Sequence, residues 1–179
     1  MKMSEKIRIE TLLSAEQIAA RVEEMAAQIN SDYAGQDILL VGTLKGAYIF
    51  MADISRYLTL PTQIDFLKVS SYGDSTSPES EVKFDHYPTI ELENKHVLLI
   101  EDIVDTGHTL AFLRQFILSE NPASLKVCAL LDKPSRREAT LDPIEYLGFS
   151  IPDKFVVGYG LDYAQNYRNM PYIGVVHFD

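Results

Sequence analysis

Three short runs of unbroken apolar residues constrain this chain most: Ile38–Val41, Val97–Ile100 and the stretch within Leu125–Leu131. A strand with one wet face alternates apolar and polar side chains, whereas a solid apolar run has both faces covered. Stretches with helical spacing separate the runs. Ser14 and Gln17 form a capping-box pair, and Ile18, Val22, Met25 and Ile29 then recur on one helical face. Gly46 to about Tyr57 reads as a second helix, with Pro61 just beyond. Thr109–Leu118 reads as a third, with Leu110, Leu113, Phe116 and Ile117 on one side. Gln63–Val69 alternates, Ile64, Phe66 and Lys68 marking a strand, and Tyr146–Phe149, Phe155–Val157 and Ile173–Val176 read as later strands. Buried strands alternating with helices give an α/β fold with a mostly parallel central sheet flanked by helices. A chain of 179 residues suits one domain, 1–179.

The charge balance narrows the partners. Sixteen basic residues against 26 acidic ones give a net charge of −10. Broad binding to nucleic acid or to an anionic membrane needs a basic footprint, so neither is expected. A small phosphorylated ligand remains possible, because backbone amides and a metal ion bind phosphate locally. No apolar run approaches the roughly 18 residues of a membrane span. Met1–Lys6 leads into no apolar signal core, so a cytoplasmic location is expected. Cys128 is the one cysteine, which rules out an internal disulfide; inside Val127–Leu131 it reads as a buried, inert thiol. Ser70–Glu81 carries Tyr72, Gly73 and Pro78 but no aliphatic residue, so it reads as a long mobile loop. Its composition suits an active-site lid and a plain surface loop equally.

The chemistry concentrates in Val97-Leu98-Leu99-Ile100-Glu101-Asp102-Ile103-Val104-Asp105-Thr106-Gly107-His108-Thr109. An apolar strand runs into two adjacent carboxylates, then a third, a small polar loop and an amphipathic helix. In open α/β sheets the carboxyl ends of the strands form the ligand crevice. The helix start offers free N–H groups to a phosphate, Thr106 and Thr109 add hydroxyls, and Gly107 lets a ligand approach the backbone. Glu101 and Asp102 would either accept hydrogen bonds from sugar hydroxyls or share a hard cation such as Mg²⁺ with the ligand. Both options point to a sugar phosphate; an acidic helix cap on a solvated turn is the plain alternative.

Glu101–Gly107 resembles the phosphoribosyl pyrophosphate (PRPP) motif of type I phosphoribosyltransferases. Val41-Gly42-Thr43-Leu44-Lys45-Gly46-Ala47, Leu130-Leu131-Asp132-Lys133-Pro134 and Phe155–Asp162 with Tyr167-Arg168-Asn169 resemble the hypoxanthine-guanine branch, in the family's order. The resemblance covers about Ile7 to Val176. It implies the type I fold with a small hood, and a flexible lid that includes Ser70, Ser71, Tyr72 and Gly73. It also implies a Mg²⁺-dependent transfer of phosphoribosyl from PRPP to a 6-oxopurine, by a homodimer or homotetramer.

The residue roles that follow are those the resemblance implies. Glu101, Asp102, Asp105, Thr106, Gly107, His108 and Thr109 would hold the ribose and its 5′-phosphate, with Asp105 as the base that takes a purine ring proton. Lys45, Gly46 and Arg168 would bind pyrophosphate, with a cis peptide before Lys45. Lys133, Phe155, Val156 and Asp162 would bind the purine. A lysine only donates, so Lys133 suits a carbonyl at purine position 6 and opposes an amino group there. Glu101, Asp102 and Asp162 are the expected magnesium ligands. Some relatives carry lysine where His108 stands, which removes a fixed charge here. Arg136 and Arg137 read as a solvated basic turn. The rival readings are a PRPP-sensing regulator without turnover and a receiver-like phosphoacceptor domain.

Overall fold

The computed structural model describes residues 7–72 and 81–178. Strand β1 (Ile7–Leu13) leads to helix α1 (Ala15–Asp32), whose start is the capping box read from the sequence. Gln17 N–H donates to Ser14 Oγ at 3.3 Å, and Ser14 N–H donates to Gln17 Oε1 at 2.9 Å. Next come β2 (Ile38–Thr43), α2 (Tyr48–Tyr57), β3 (Thr62–Tyr72), β4 (Glu81–His86), β5 (His96–Val104), α3 (His108–Ser119) and β6 (Ser124–Asp132). The chain ends with β7 (Tyr146–Ser150), β8 (Val156–Val157) and β9 (Ile173–Phe178).

Six strands form the main sheet in the order β4-β3-β2-β5-β6-β7. All pairings in it are parallel except β3 with β4. The solid apolar runs are its centre, and alternation sorts their side chains onto two layers. Leu40, Leu98, Ile100, Cys128 and Leu130 pack under α1 and α2, against Ile18, Val22, Met25, Phe50 and Ile54. Leu39, Val41, Leu99, Val127 and Ala129 face α3, against Leu110, Leu113 and Ile117. Cys128 is fully buried, and burial pushes its thiol pKa well up. Among the described residues, no helix is long and apolar enough to cross a membrane.

The second sheet, β1-β9-β8, is antiparallel and joins the first and last parts of the chain. It supplies the hood. Two expectations change in detail. Along β3 the buried side chains are Asp65 and Leu67, while Ile64 is 47% exposed, so the alternation read there marks the wetter face. Part of the expected lid loop is strand: β3 runs through Ser70 and Ser71 to Tyr72, and these three pair with Lys83, Val82 and Glu81. Gly73, also assigned to the lid, lies outside the described residues. The return segment is anchored by aromatic packing, since Phe84 stacks on Tyr87 at 4.3 Å and meets Phe116 at 4.5 Å.

Candidate active site

Parallel pairing brings the carboxyl ends of β2, β5 and β6 to one edge of the sheet, and the register decides which residues meet there. Gly42 sits opposite Ile100, so the next residues, Thr43 and Glu101, are neighbours. Thr43 Oγ1 donates to Glu101 Oε2 at 2.7 Å. Val104 sits opposite Asp132, so Lys133 follows beside Asp105, and Lys133 N–H donates to Val104 O at 2.9 Å.

A cavity of about 320 Å³ opens over this edge. Lys45, Gly46, Glu101, Asp102, Asp105, Thr106, Gly107, Thr109, Asp162 and Arg168, all read from the sequence, line it together, and Val69 at the foot of the β3–β4 ribbon closes one side. The Leu44–Lys45 peptide is cis. Gly46 is required sterically, since a Cβ there would overlap the Asp102 carboxylate. Gly160, at φ +104°, packs against the Gly46 carbonyl and leaves no room for a side chain.

Glu101 is 5% exposed and its Oε1 has no hydrogen-bond partner. Burial, then the charge of Asp102, push its pKa up to about 8, against the opposing Thr43 bond. Burial also raises Asp102 to about 6, although hydrogen bonds from backbone N–H groups and the Arg168 charge pull the other way. An orphaned carboxylate oxygen beside a second buried carboxyl fits a divalent cation or a pair of sugar hydroxyls. Asp162 is committed elsewhere: Arg168 Nη2 stands 2.7 Å from its Oδ1, and Gln165 N–H donates to its Oδ2 at 2.7 Å. Among the described residues no three acids or histidines converge as a metal cluster. Glu101, Asp102 and Asp162 therefore share a cavity without forming a ready-made cage, and ligand oxygens would have to complete any magnesium shell.

Gly107 caps α3 at φ +92° and no side chain caps the helix, so its first-turn N–H groups remain available to an anion. The loop before it is braced from the segment after β6. Thr106 O accepts from Glu138 N at 3.0 Å and Ala139 N at 3.1 Å, and Asp105 O accepts from Arg137 Nη1 at 3.0 Å. Arg137 also pairs with Asp132. Arg137 is thus a buttress of the loop between β5 and α3 rather than part of a solvated turn. Its partners are set by the β5–β6 register, which no sequence spacing reveals. Arg136 is exposed, yet its Nε donates to Asp105 Oδ1 at 3.0 Å. His108 does not line the cavity; its Nε2 faces Glu138 Oε2 at 3.0 Å.

Lys133, Phe155 and Val156 lie beyond the rim of the cavity. Lys133 is 7% exposed, with Nζ 3.9 Å from Asp105 Oδ2 and 3.8 Å from Asp153 Oδ1. Phe155 is 48% exposed, so it is no core residue, and Tyr163 meets its ring edge-on at 5.7 Å. Val176 N–H donates to Phe155 O at 2.9 Å, which makes Phe155 and Val176 a hydrogen-bonded pair. Alternation then makes Val156 and Val175 a non-hydrogen-bonded pair, with the Val156 N–H and C=O pointing off the open edge of the hood sheet. Sequence reasoning missed Asp153 and Gln165. Gln165 Oε1 accepts from Lys45 Nζ at 3.2 Å and from Arg168 Nη2 at 3.3 Å.

The phosphoribosyl transferase domain model matches residues 8–164. This chain belongs to the phosphoribosyltransferase family. Among phosphoribosyltransferases, hypoxanthine phosphoribosyltransferase of Escherichia coli (strain K12) is 46% identical over 173 residues, covering 96% of this chain and 97% of the relative. Hypoxanthine-guanine phosphoribosyltransferase of Mycobacterium tuberculosis (strain ATCC 25618 / H37Rv) is 47% identical over 171 residues, covering 92% of this chain and 84% of the relative. A solved hypoxanthine-guanine phosphoribosyltransferase from Bacillus anthracis superposes with a TM-score of 0.89 at 42% identity, covering 96% of this chain and 100% of that one. The fold and the enzyme family expected from the sequence are borne out. In this phosphoribosyltransferase, the acids at the carboxyl end of β5, the uncapped helix and the cations of two other loops meet at one sheet edge.

Proposed function

We propose that this chain transfers the phosphoribosyl group of PRPP to N9 of hypoxanthine or guanine, forming IMP or GMP and releasing pyrophosphate. One observation carries the reading: an acid pair, an uncapped helix start and two cations share a cavity, and the buried Lys133 stands next to it across Asp105. The names of the relatives support the same reading.

The bond from the anomeric carbon to pyrophosphate breaks while the bond to N9 forms. Thr106 to Thr109 hold the 5′-phosphate through backbone N–H groups and hydroxyls, and Glu101 and Asp102 orient the ribose hydroxyls. Lys45 and Arg168 meet the charge that develops on the departing pyrophosphate. Asp105 takes the ring proton of the purine, and Lys133 donates to its carbonyl at position 6. Phe155 stacks on the purine face, and the unpaired Val156 groups face its edge. Asp162 closes the base side and holds Arg168. The β3–β4 ribbon, with Ser70, Ser71 and Tyr72 toward its far end, covers the site and excludes water, and Gly73 belongs to the same lid in this reading. Glu101 and Asp102, with Asp162 nearby, would hold magnesium, which would supply charge neutralisation to PRPP and pyrophosphate.

A cytoplasmic homodimer or homotetramer belongs to the same reading. Tyr48 and Tyr57, both exposed on α2, are apolar surface such an assembly would cover. Light scattering coupled to size exclusion measures it.

The test of function is product formation from PRPP, Mg²⁺ and each purine. Hypoxanthine or guanine should yield nucleotide and pyrophosphate in equal amounts, and adenine should be a poor substrate. Lys133→Met should lower kcat/KM for hypoxanthine by roughly one to two decades, the worth of one charge-assisted hydrogen bond. Saturable PRPP binding without product would favour a sensor, and equal rates with adenine would overturn the base assignment.

A further inference from the structure

Gln165 occupies the point at which the two pyrophosphate cations converge. Its side-chain carbonyl accepts from Lys45 Nζ and from Arg168 Nη2, cations carried by two different loops. Among the described residues it is the one side chain hydrogen-bonded to both. The backbone holding it is fixed: Ala164 and Gln165 adopt left-handed φ of 49° and 66°, and Gln165 N–H donates to Asp162. Arg168 is held in turn by Asp162 and by Gly160 O, which accepts from Nη1 at 2.7 Å. The Gln165 side chain is exposed, so it is free to swing out.

The chemistry of the group matters. An amide oxygen has two lone pairs, enough for two donors, and carries no net charge. A phosphate oxygen adds attraction between opposite charges to the hydrogen bond from a cation, which a neutral amide oxygen does not, so a phosphate oxygen outcompetes the amide. A carboxylate of the same length would make two ion pairs that an arriving anion would have to break. We propose that Gln165 is a neutral place-holder: it keeps Lys45 and Arg168 aimed at one point while the anion is away, and releases them to pyrophosphate. It is thereby a positioning residue that sets affinity for the pyrophosphate group. The proposal rests on the reading of Lys45 and Arg168 as pyrophosphate ligands.

The experiment compares full-length wild type, Gln165→Glu, Gln165→Met and Lys45→Met. It measures calorimetric binding of magnesium pyrophosphate, and the KM values for PRPP and hypoxanthine. Gln165→Glu is expected to weaken pyrophosphate binding and raise the KM for PRPP by about tenfold or more, with the KM for hypoxanthine within about twofold, a split that a misfolded site would not give. Gln165→Met keeps the length and removes the acceptor that aims Lys45 and Arg168, so pyrophosphate affinity should fall about three- to tenfold, less than in Gln165→Glu. Gln165→Glu or Gln165→Met binding pyrophosphate as well as wild type, or Gln165→Met losing more affinity than Gln165→Glu, would overturn the place-holder. Unchanged pyrophosphate affinity in Lys45→Met would instead overturn the cation assignment beneath it, and the proposal with it.

Discussion

Glu101→Gln should make the protein more stable above neutral pH while impairing it as an enzyme. The wild-type carboxyl is buried, has one unpartnered oxygen and titrates at about 8, against an ordinary value of 4.5. At pH 7 the folded chain keeps this proton and the unfolded chain releases it. The gap from 4.5 to pH 7, at about 1.4 kcal/mol per unit, costs the wild type about 3 kcal/mol. The folded state binds the extra proton, so stability falls as pH rises above about 4.5 and levels off above about 8. Glutamine is neutral throughout, its oxygen can still accept from Thr43, and it escapes this slope. For a chain of this size, about 3 kcal/mol corresponds to a Tm gap on the order of 6–12 °C, an upper value because the site can relax. Melting both proteins in metal-free buffer from pH 5 to 8.5 is the assay. The variant should melt near wild type at pH 5 and well above it at pH 8. Adding Mg²⁺ with pyrophosphate should narrow the gap by stabilising the wild type more than the variant, which lacks one of the expected magnesium carboxylates. A Tm difference independent of pH would refute the reasoning.

Asp105→Asn should lower kcat by about 10²–10⁴-fold, the usual worth of a general base, with PRPP affinity largely kept; single-turnover kinetics beside PRPP calorimetry separates this from a structural role. Gly160→Ala places a Cβ against Gly46 O at φ +104°; a left-handed backbone costs about 1–2 kcal/mol and overpacking about 1–3. Denaturant melts should therefore show a loss of at least about 2 kcal/mol, and the KM for PRPP should rise as Gly46 shifts. Asp65 is buried, yet hydrogen bonds from Ile90, Phe66 and Thr89 outweigh that burial and hold its pKa below 3.8. Its stabilisation is complete above about pH 4 and is lost as pH falls further. Asp65→Asn, with one acceptor oxygen in place of two, should cost about 1–3 kcal/mol at pH 7 and flatten the acid limb of the melting curve.

The sequence exposed those parts of the fold in which one segment carries its own signal. The runs at β2, β5 and β6 are buried on both faces, and that alone makes them solid. The acids at and just beyond the end of β5 stand out because three carboxylates ahead of a glycine loop suit few structural purposes. Of the hood, Phe155–Val157 and Ile173–Val176 were legible as strands, but their pairing was hidden: β1 was not read as a strand, and it pairs with β9 from the far end of the chain. Arg137 looked like a surface charge because the partners that fix it, Asp132 and the Asp105 carbonyl, are brought to it by strand register. Gln165 carried no signal, since an amide in a turn looks the same whether or not two cations point at it. The expected magnesium ligands were legible as a list of acids and not as a geometry, because Asp162 answers to Arg168.

A crystal structure of the chain with IMP, pyrophosphate and Mg²⁺ tests the central claim most directly. The 5′-phosphate should lie on the N–H groups of Thr106 to Thr109, the ribose hydroxyls on Glu101 and Asp102, the position-6 oxygen on Lys133, and pyrophosphate on Lys45 and Arg168 with Gln165 swung away. A nucleotide bound with its phosphate away from the α3 start, or with Lys133 free of the base, would contradict it.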